Sequence, residues 1–296
     1  MPAPPRIISN MNFLLLICCG LLLAAAARAS ESAAPPAEGP SAEKILREAF
    51  VNRYAVDLVS HIELVMRNRS GQERRRSLNA VSKVVDGRVH SIGRLLSPEY
   101  LRGMAVLMME ADDRSQDAFI FMPSLDKVRR ITTAQRGDAF FGTDVTYEDV
   151  EQQRVDEFRL RGMKAVEYRG EAAYEIQAEP LRRYNYERAL FTIAQSDAAI
   201  LQVLYYKRKA TDPYRVIESP REHMVSMGEH VLPTRLRVEN RMRGTSTDVF
   251  FTDLRADVPI RTRLFSVRTL ESQSPLPTAD SFPDESSGSS PHAARP

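Results

Sequence analysis

Residues 95–150 read LLSPEYLRGMAVLMMEADDRSQDAFIFMPSLDKVRRITTAQRGDAFFGTDVTYEDV. Two apolar runs, 104–109 and 118–122, flank the acidic, polar segment 110–116. Both runs are of strand length and rich in Met, Phe, Ile and Val, which predicts a pair of antiparallel strands. A third strand over 127–133 follows the turn Pro123-Ser124-Leu125-Asp126, where proline presets φ and aspartate can bond its own backbone. Neither apolar run alternates with polar residues, as a sheet with one wet face would. The two strands are therefore expected to be covered on both faces, by protein or, on one face, by a ligand.

Outward from this stretch the same pattern continues. Toward the N-terminus, Ser41 precedes a helix over 42–54, where Ala42, Ile45, Leu46, Ala49 and Phe50 repeat at helical spacing. Such a stripe fits an ordinary core helix or one that lines a ligand cavity. A hairpin over 56–66 and 76–85 turns at 67–71. Its arginines, Arg67, Arg69, Arg74, Arg75 and Arg76, read as a solvated turn or as a docking patch for an acidic partner or lipid headgroups. Asp86-Gly87 marks the next turn.

Toward the C-terminus, strands are predicted at 158–161, 173–179, 188–194, 200–207, 214–218, 222–227, 232–239, 247–254 and 264–270. Residues 173–179 and 232–239 alternate apolar with polar, as half-buried antiparallel strands do. So many strands with so few helices give a mainly β (α+β) domain over 41–271, not βαβ units. Residues 30–40 read as a flexible leader, and the Ser/Pro-rich segment 272–296 as a disordered tail.

Residues 1–29 read as a secretory signal, with an uncleaved anchor as the alternative. Arg6 precedes the apolar run 13–27, which is short of the ~20 residues a membrane span needs. Ala27-Arg28-Ala29 supplies a cleavage site, so export is expected with cleavage near Ala29. Cys18 and Cys19 both lie in the run, leaving a mature chain without disulfide or thiol chemistry. Of 41 basic residues the signal holds Arg6 and Arg28, so the remainder is balanced at 39 basic and 39 acidic. That balance argues against a nucleic-acid binder, which needs a basic face.

Several phrases resemble the LolA-like outer-membrane lipoprotein-sorting family. They are Ser97-Pro98, Arg102-Gly103-Met104-Ala105, Phe121-Met122-Pro123-Ser124-Leu125, Lys127-Val128-Arg129-Arg130-Ile131 and 141–149 (FGTDVTYED). Phe251-Thr252-Asp253-Leu254-Arg255, Val258-Pro259 and 264–271 (LFSVRTLE) continue the likeness in the same order across about residues 41–271. The resemblance implies an incomplete β-barrel, a large curved antiparallel sheet under an N-terminal helix. It also implies a periplasmic carrier that shields lipid or lipoprotein acyl chains for sorting to the outer membrane. The alternative is an accessory subunit that docks on an inner-membrane lipid or efflux transporter. The absence of Trp departs from many relatives.

No catalytic signature occurs: neither G-x-S-x-G, nor a Gly-rich phosphate loop, nor H-E-x-x-H. The expectation is a non-enzymatic, monomeric protein without metal or cofactor, whose partner is an acylated lipoprotein or lipid. His223 and His230, and the acidic set Asp144, Glu148, Asp149 and Glu151, are too few or too turn-like to favour a metal site. Tyr184, Tyr186, Tyr205, Tyr206 and Tyr214 suit a cavity rim or simply strands. For the cavity, the expected lining from one face of the central strands is Val106 and Met108 with Phe119 and Phe121; both faces being apolar, the period does not say which is inner, and the alternative is a closed core without room for cargo. Ile176, Leu236, Val238 and Phe251 are expected from alternating strands, and Leu46 and Phe50 from the helix. Arg129 and Arg130 are adjacent in one strand, so one of them is expected inward, at a polar rim.

Overall fold

A computed structural model describes residues 39–111 and 115–282. The signal segment 1–29 and most of the leader therefore lie outside the described residues. Helix α1 (Ala42–Tyr54) buries Ile45, Leu46, Ala49 and Phe50 on one stripe. Its opposite face carries the i,i+4 pairs Glu43–Arg47 and Lys44–Glu48. Exposed pairs of this kind contribute only tenths of a kcal/mol, so burial of the stripe holds the helix in place.

Fifteen strands follow among the described residues. They are β1 (Leu58–Arg67), β2 (Glu73–Val85), β3 (Arg88–Ser97), β4 (Ala105–Glu110), β5 (Gln116–Met122) and β6 (Lys127–Arg130), then β7 (Phe158–Tyr168), β8 (Glu171–Pro180), β9 (Arg188–Ala194) and β10 (Ile200–Tyr206). The last are β11 (Arg215–Glu218), β12 (Met224–Met227), β13 (His230–Pro233), β14 (Arg235–Asn240) and β15 (Thr245–Ala256). Thirteen of them form one antiparallel sheet in the order β6-β5-β4-β3-β2-β1-β15-β14-β11-β10-β9-β8-β7. The sheet does not close, since β6 and β7 are its two edges. Strands β12 and β13 pair separately as a hairpin. At the turns Asp86-Gly87 and Arg169-Gly170 both residues have positive φ, the geometry that matches the strand twist of a two-residue hairpin.

The inner face of the sheet is the one on which α1 packs. Phe50 meets Phe191 of β9 edge-on at 5.5 Å and tilts against Phe158 of β7 at 5.9 Å. The outer face of β1–β5 carries a second core: Val59, Val81, Ile92, Leu107 and Phe121 pack with Val258, Ile260, Phe265, Leu270 and Leu276. The two apolar faces expected of the central strands are both present, and the C-terminal chain covers the outer one.

Three expectations need correction. Residues 264–270 are not a strand: a 3-10 turn (Thr262–Leu264) leads to helix α3 (Val267–Glu271), capped by the Ser266 hydroxyl accepting from Thr269 N–H at 3.2 Å. Five residues are too few to show a 3.6-residue period. The strand at 158–161 runs on to Tyr168, although most of that extension is exposed. The tail does not begin at Ser272, because Leu276 is only 4% exposed against the outer core and Ala279 O accepts from Arg255 at 3.3 Å. A Ser/Pro-rich composition hid this apolar anchor and Phe282, which packs against the same core.

Candidate functional site

Strands β1, β2 and β3 send alternate side chains inward. From β1 come Leu58, Ser60, Ile62 and Leu64, from β2 Leu78, Ala80 and Ser82, and from β3 Val89, Ser91 and Gly93. The register sets small residues directly opposite one another. Ser60 faces Ala80, Ala80 faces Gly93, and Ser82 faces Ser91. Side chains stand perpendicular to a sheet, so rows of small ones leave a trough between taller neighbours. The outcome is a cavity of about 240 Å³.

Its walls are apolar. Val106 and Met108 of β4 rise on one side, and Leu236, Val238, Val249 and Phe251 of β14 and β15 on the other. The covers are the end of α1 (Arg53, Tyr54), then Phe140, Val145, Asp149 and Val150, and Leu232 and Pro233 of β13. Leu58, Ile62, Phe251 and Leu254 are only half-buried there. Apolar side chains in a monomer are normally buried against protein, so incomplete burial inside a fold marks room for another apolar group.

The residues singled out from sequence divide accordingly. Val106, Met108, Leu236, Val238 and Phe251 line the cavity. Leu46, Phe50 and Ile176 belong to the same inner core but pack away from the cavity lining. Phe119 and Phe121 lie on the opposite face. In the β4–β5 register Val106 faces Ile120 and Met108 faces Ala118, whereas Phe119 faces Leu107 and Phe121 faces Ala105. Period 2 fixes each face as a set, so Val106 and Phe121 could not both point inward in this register. Neither Arg129 nor Arg130 is interior: both are exposed on edge strand β6, and Arg130 pairs with Asp117. An edge strand has only one neighbour to bury it, which removes the premise that one of the two must be buried.

The acidic stretch 144–151 is, by contrast, almost wholly buried. It holds helix α2 (Tyr147–Val150), and two of its acids, Asp144 and Asp149, are firmly bonded. Asp144 accepts from Thr245 Oγ1 at 2.5 Å and Thr247 Oγ1 at 3.0 Å. Asp149 accepts from Thr146 N–H at 2.7 Å and Thr146 Oγ1 at 2.8 Å, and pairs with the buried Arg215. Burial by itself would raise the Asp149 pKa, but the Arg215 charge and these bonds outweigh it and hold the carboxyl below its ordinary value. Arg215 stacks 4.7 Å from the centre of the Tyr205 ring.

Glu148 and Glu151 are less well compensated. Burial, then the neighbouring Asp149 charge, pushes Glu148 up to about 7 against the Asn185 N–H at 3.1 Å and Arg215. Glu151 is likewise pushed up to about 7 by burial. Arg136 and Arg182 approach it at 3.3 and 3.8 Å, but neither carboxylate oxygen has a partner in hydrogen-bond geometry. Sequence reasoning missed both the buried loop and the small-residue trough. The trough had a signal in the alternate small residues Ser60, Ala80, Ser82, Ser91 and Gly93. The loop's arginine partners lie too far along the chain to be paired by inspection. Among the described residues no group of three metal-ligating side chains assembles.

A family model described as "Uncharacterized protein" matches residues 87–272, well over half of the chain. No curated protein matches it. Among solved structures, a domain described as an outer membrane lipoprotein-sorting protein from Vibrio parahaemolyticus superposes with a TM-score of 0.71 at 19% identity, covering 77% of this chain and 97% of that one. A DUF1329 family protein from Desulfovibrio piger gives 0.70 at 22% identity, covering 76% and 95%. A LolA superfamily protein from Nitrosomonas europaea gives 0.61 at 18% identity, covering 77% and 98%. The fold is LolA-like: a large antiparallel sheet that stays open, with few helices.

Proposed function

We propose that this chain, which belongs to the uncharacterized family matched over residues 87–272 and has a LolA-like fold, is a periplasmic carrier for the acyl chains of a lipid or lipoprotein bound for the outer membrane. The observation that carries the reading is the apolar cavity built over Ser60, Ala80, Ser82, Ser91 and Gly93. Each methylene removed from water contributes about 0.8 kcal/mol, so apolar walls hold an alkyl chain without a dedicated polar contact. At about 240 Å³ the cavity is smaller than the roughly 300–1,000 Å³ of sites for compact ligands. It suits a length of one flexible chain. The lipoprotein-sorting description of the Vibrio domain supports the cargo class.

The protein acts without catalysis in this reading. Asp149, the one carboxylate among the described residues of the cavity lining, is already engaged by Thr146 and Arg215 and lacks the freedom of an acid or base. Export through the segment 1–29 places the carrier in the periplasm, where an inner-membrane transporter is a fitting donor of cargo. The test is mass spectrometry of the organic extract from protein purified from periplasm, together with titration of a fluorescent fatty acid. Co-purified acyl lipid and saturable probe binding are expected. A protein that carries no lipid and binds no probe rules the carrier reading out.

A further inference from the structure

The two hairpin segments 67–76 and 235–248 hold nine arginines against three acids, Glu73, Glu239 and Asp248, and contain no lysine. The fold brings them together. Strands β1 and β14 both pair with β15. The β1–β2 turn is tied to the β14–β15 turn by Arg69, which donates to Arg243 O at 2.7 Å and Met242 O at 2.9 Å. Arg69 lies directly across Gly244, whose φ is +63° and where a Cβ would sit 2.7 Å from the arginine. Below the turns, one aspartate is shared: Asp248, 1% exposed, pairs with Arg67, with Arg235 at 3.0 Å and with Arg237 at 3.3 Å. Asp144, buried and hydrogen-bonded to the Thr245 and Thr247 hydroxyls, adds a fourth acid beside this end.

One end of the sheet is thus strongly cationic in a chain whose other charged residues, 32 basic and 36 acidic, are net negative. Arg74, Arg75, Arg241 and Arg243 are exposed at this end. Between the last two stands Met242, an apolar side chain 63% exposed at the tip of its turn. A protruding apolar residue flanked by guanidinium groups fits the boundary layer of a bilayer. Its side chain enters the acyl edge while the arginines fork onto phosphodiester oxygens.

We propose that this end of the sheet docks the protein on an anionic phospholipid bilayer, with Arg74, Arg75, Arg241 and Arg243 on the headgroup phosphates and Met242 inserted between them. The docking site is separate from the cavity and stands whether or not the cavity carries lipid. It lies close by: from Leu64 of the cavity to Arg67 is three residues of β1, roughly 10 Å of strand.

The test is vesicle flotation of the exported chain at 0.1 M salt. Vesicles of phosphatidylcholine alone are compared with vesicles containing a third phosphatidylglycerol. A retained apolar signal segment would bind both, so the readout is the anionic-over-neutral ratio. Each arginine at an anionic surface contributes about fivefold to partitioning, so a ratio above tenfold is expected, falling steeply at 0.5 M salt. Arg74→Glu/Arg75→Glu/Arg243→Glu should bring the ratio near one, and Met242→Ser should lower binding severalfold, both with an unchanged thermal transition. If the triple variant unfolds, Met242→Ser and the salt dependence decide alone. The proposal is overturned by equal binding to both vesicles, by no binding, or by a folded triple variant that floats like its parent. It is also overturned if millimolar inorganic phosphate abolishes flotation, which would mark a free-phosphate site. Selective capture of an acidic protein without flotation would likewise assign the surface to that protein.

Discussion

On β4, Leu107 and Met108 are chain neighbours with opposite surroundings. Leu107 faces outward and is sealed by Ile92, Phe121 and the C-terminal segment with Val258, Ile260, Phe265 and Leu270. Arg94, 4% exposed, fastens that segment, donating to Thr269 O at 2.8 Å, to Leu270 O at 3.3 Å and to Gly103 O at 3.2 Å. Met108 faces inward, where the covering elements stop short and leave a cavity. The same strands thus carry one face closed by their own chain and one left open over small residues. Apolarity on both faces of a strand calls for two covers. It does not say which cover the chain itself supplies.

Substitutions on the two faces should separate these roles. The largest loss is expected on the sealed face. Phe121→Ala should cost about 3–5 kcal/mol in urea unfolding, and Phe121→Glu should prevent folding at ambient temperature because the charge has no partner. Ile62→Ala, half-buried beside the cavity, should cost about 1 kcal/mol. Equal losses at Phe121 and Ile62 would erase the distinction between the faces.

Next in size among single substitutions is Arg94→Met, expected to lose about 2 kcal/mol by removing the guanidinium donor from the carbonyls of Gly103 and Leu270 and leaving Thr269 O with Ser272 Oγ alone. The loss should appear together with earlier proteolysis after Ala256. A cut pattern unchanged from the parent would mean that Arg94 does not hold the C-terminal cover.

The inner cover should respond to pH. Glu148 and Glu151 have folded pKa values near 7, above the ordinary 4.5. The folded state therefore binds more protons than the unfolded chain between these values. Their stabilising contribution is complete below about pH 4.5 and is lost as pH rises through about 7. The combined effect of the two should be on the order of several kcal/mol between pH 5 and 7.5. The outer face works in the other direction. His90, 5.9 Å from Phe265, is held below its ordinary value by burial and by Arg88, so its contribution is present at higher pH and falls away in acid. Thermal melts of parent and Glu148→Gln/Glu151→Gln across this range isolate the glutamate part as a difference. Parallel curves would refute it.

Filling the open face should change stability little and binding greatly. Ala80→Phe places a ring in existing space, so stability should stay within about 1 kcal/mol while fatty-acid probe affinity falls by more than tenfold. A parent that binds probe and an Ala80→Phe variant that binds it equally would put the ligand elsewhere. The smallest effect belongs to the sheet edge: Arg130→Met, exposed and paired only with Asp117 in the described contacts, should shift stability by under about 0.5 kcal/mol.

The sequence by itself determined the element types over most of the chain, because those signals are local. The helix stripe Ile45, Leu46, Ala49 and Phe50, the turn at Asp86-Gly87 and the alternating strand at 173–179 each lie within one window of a few residues, whereas the alternating run 232–239 is split by the structure between β13 and β14, which lie in different sheets. It also indicated, through two unalternating runs, that β4 and β5 are covered twice. Tertiary structure alone decided what covers them. Phe121 and Val106 are equally apolar, and the register that sends one outward is fixed across strands. Its outer cover arrives from Leu270 and Leu276, about 150 residues later. The acids of 144–151 look like a wet turn until Arg136, Arg182 and Arg215 are folded against them. A side chain's type sets what it needs, whether an apolar neighbour, a counter-charge or a hydrogen-bond donor. Which distant group meets that need depends on chain connectivity, and no local pattern encodes it.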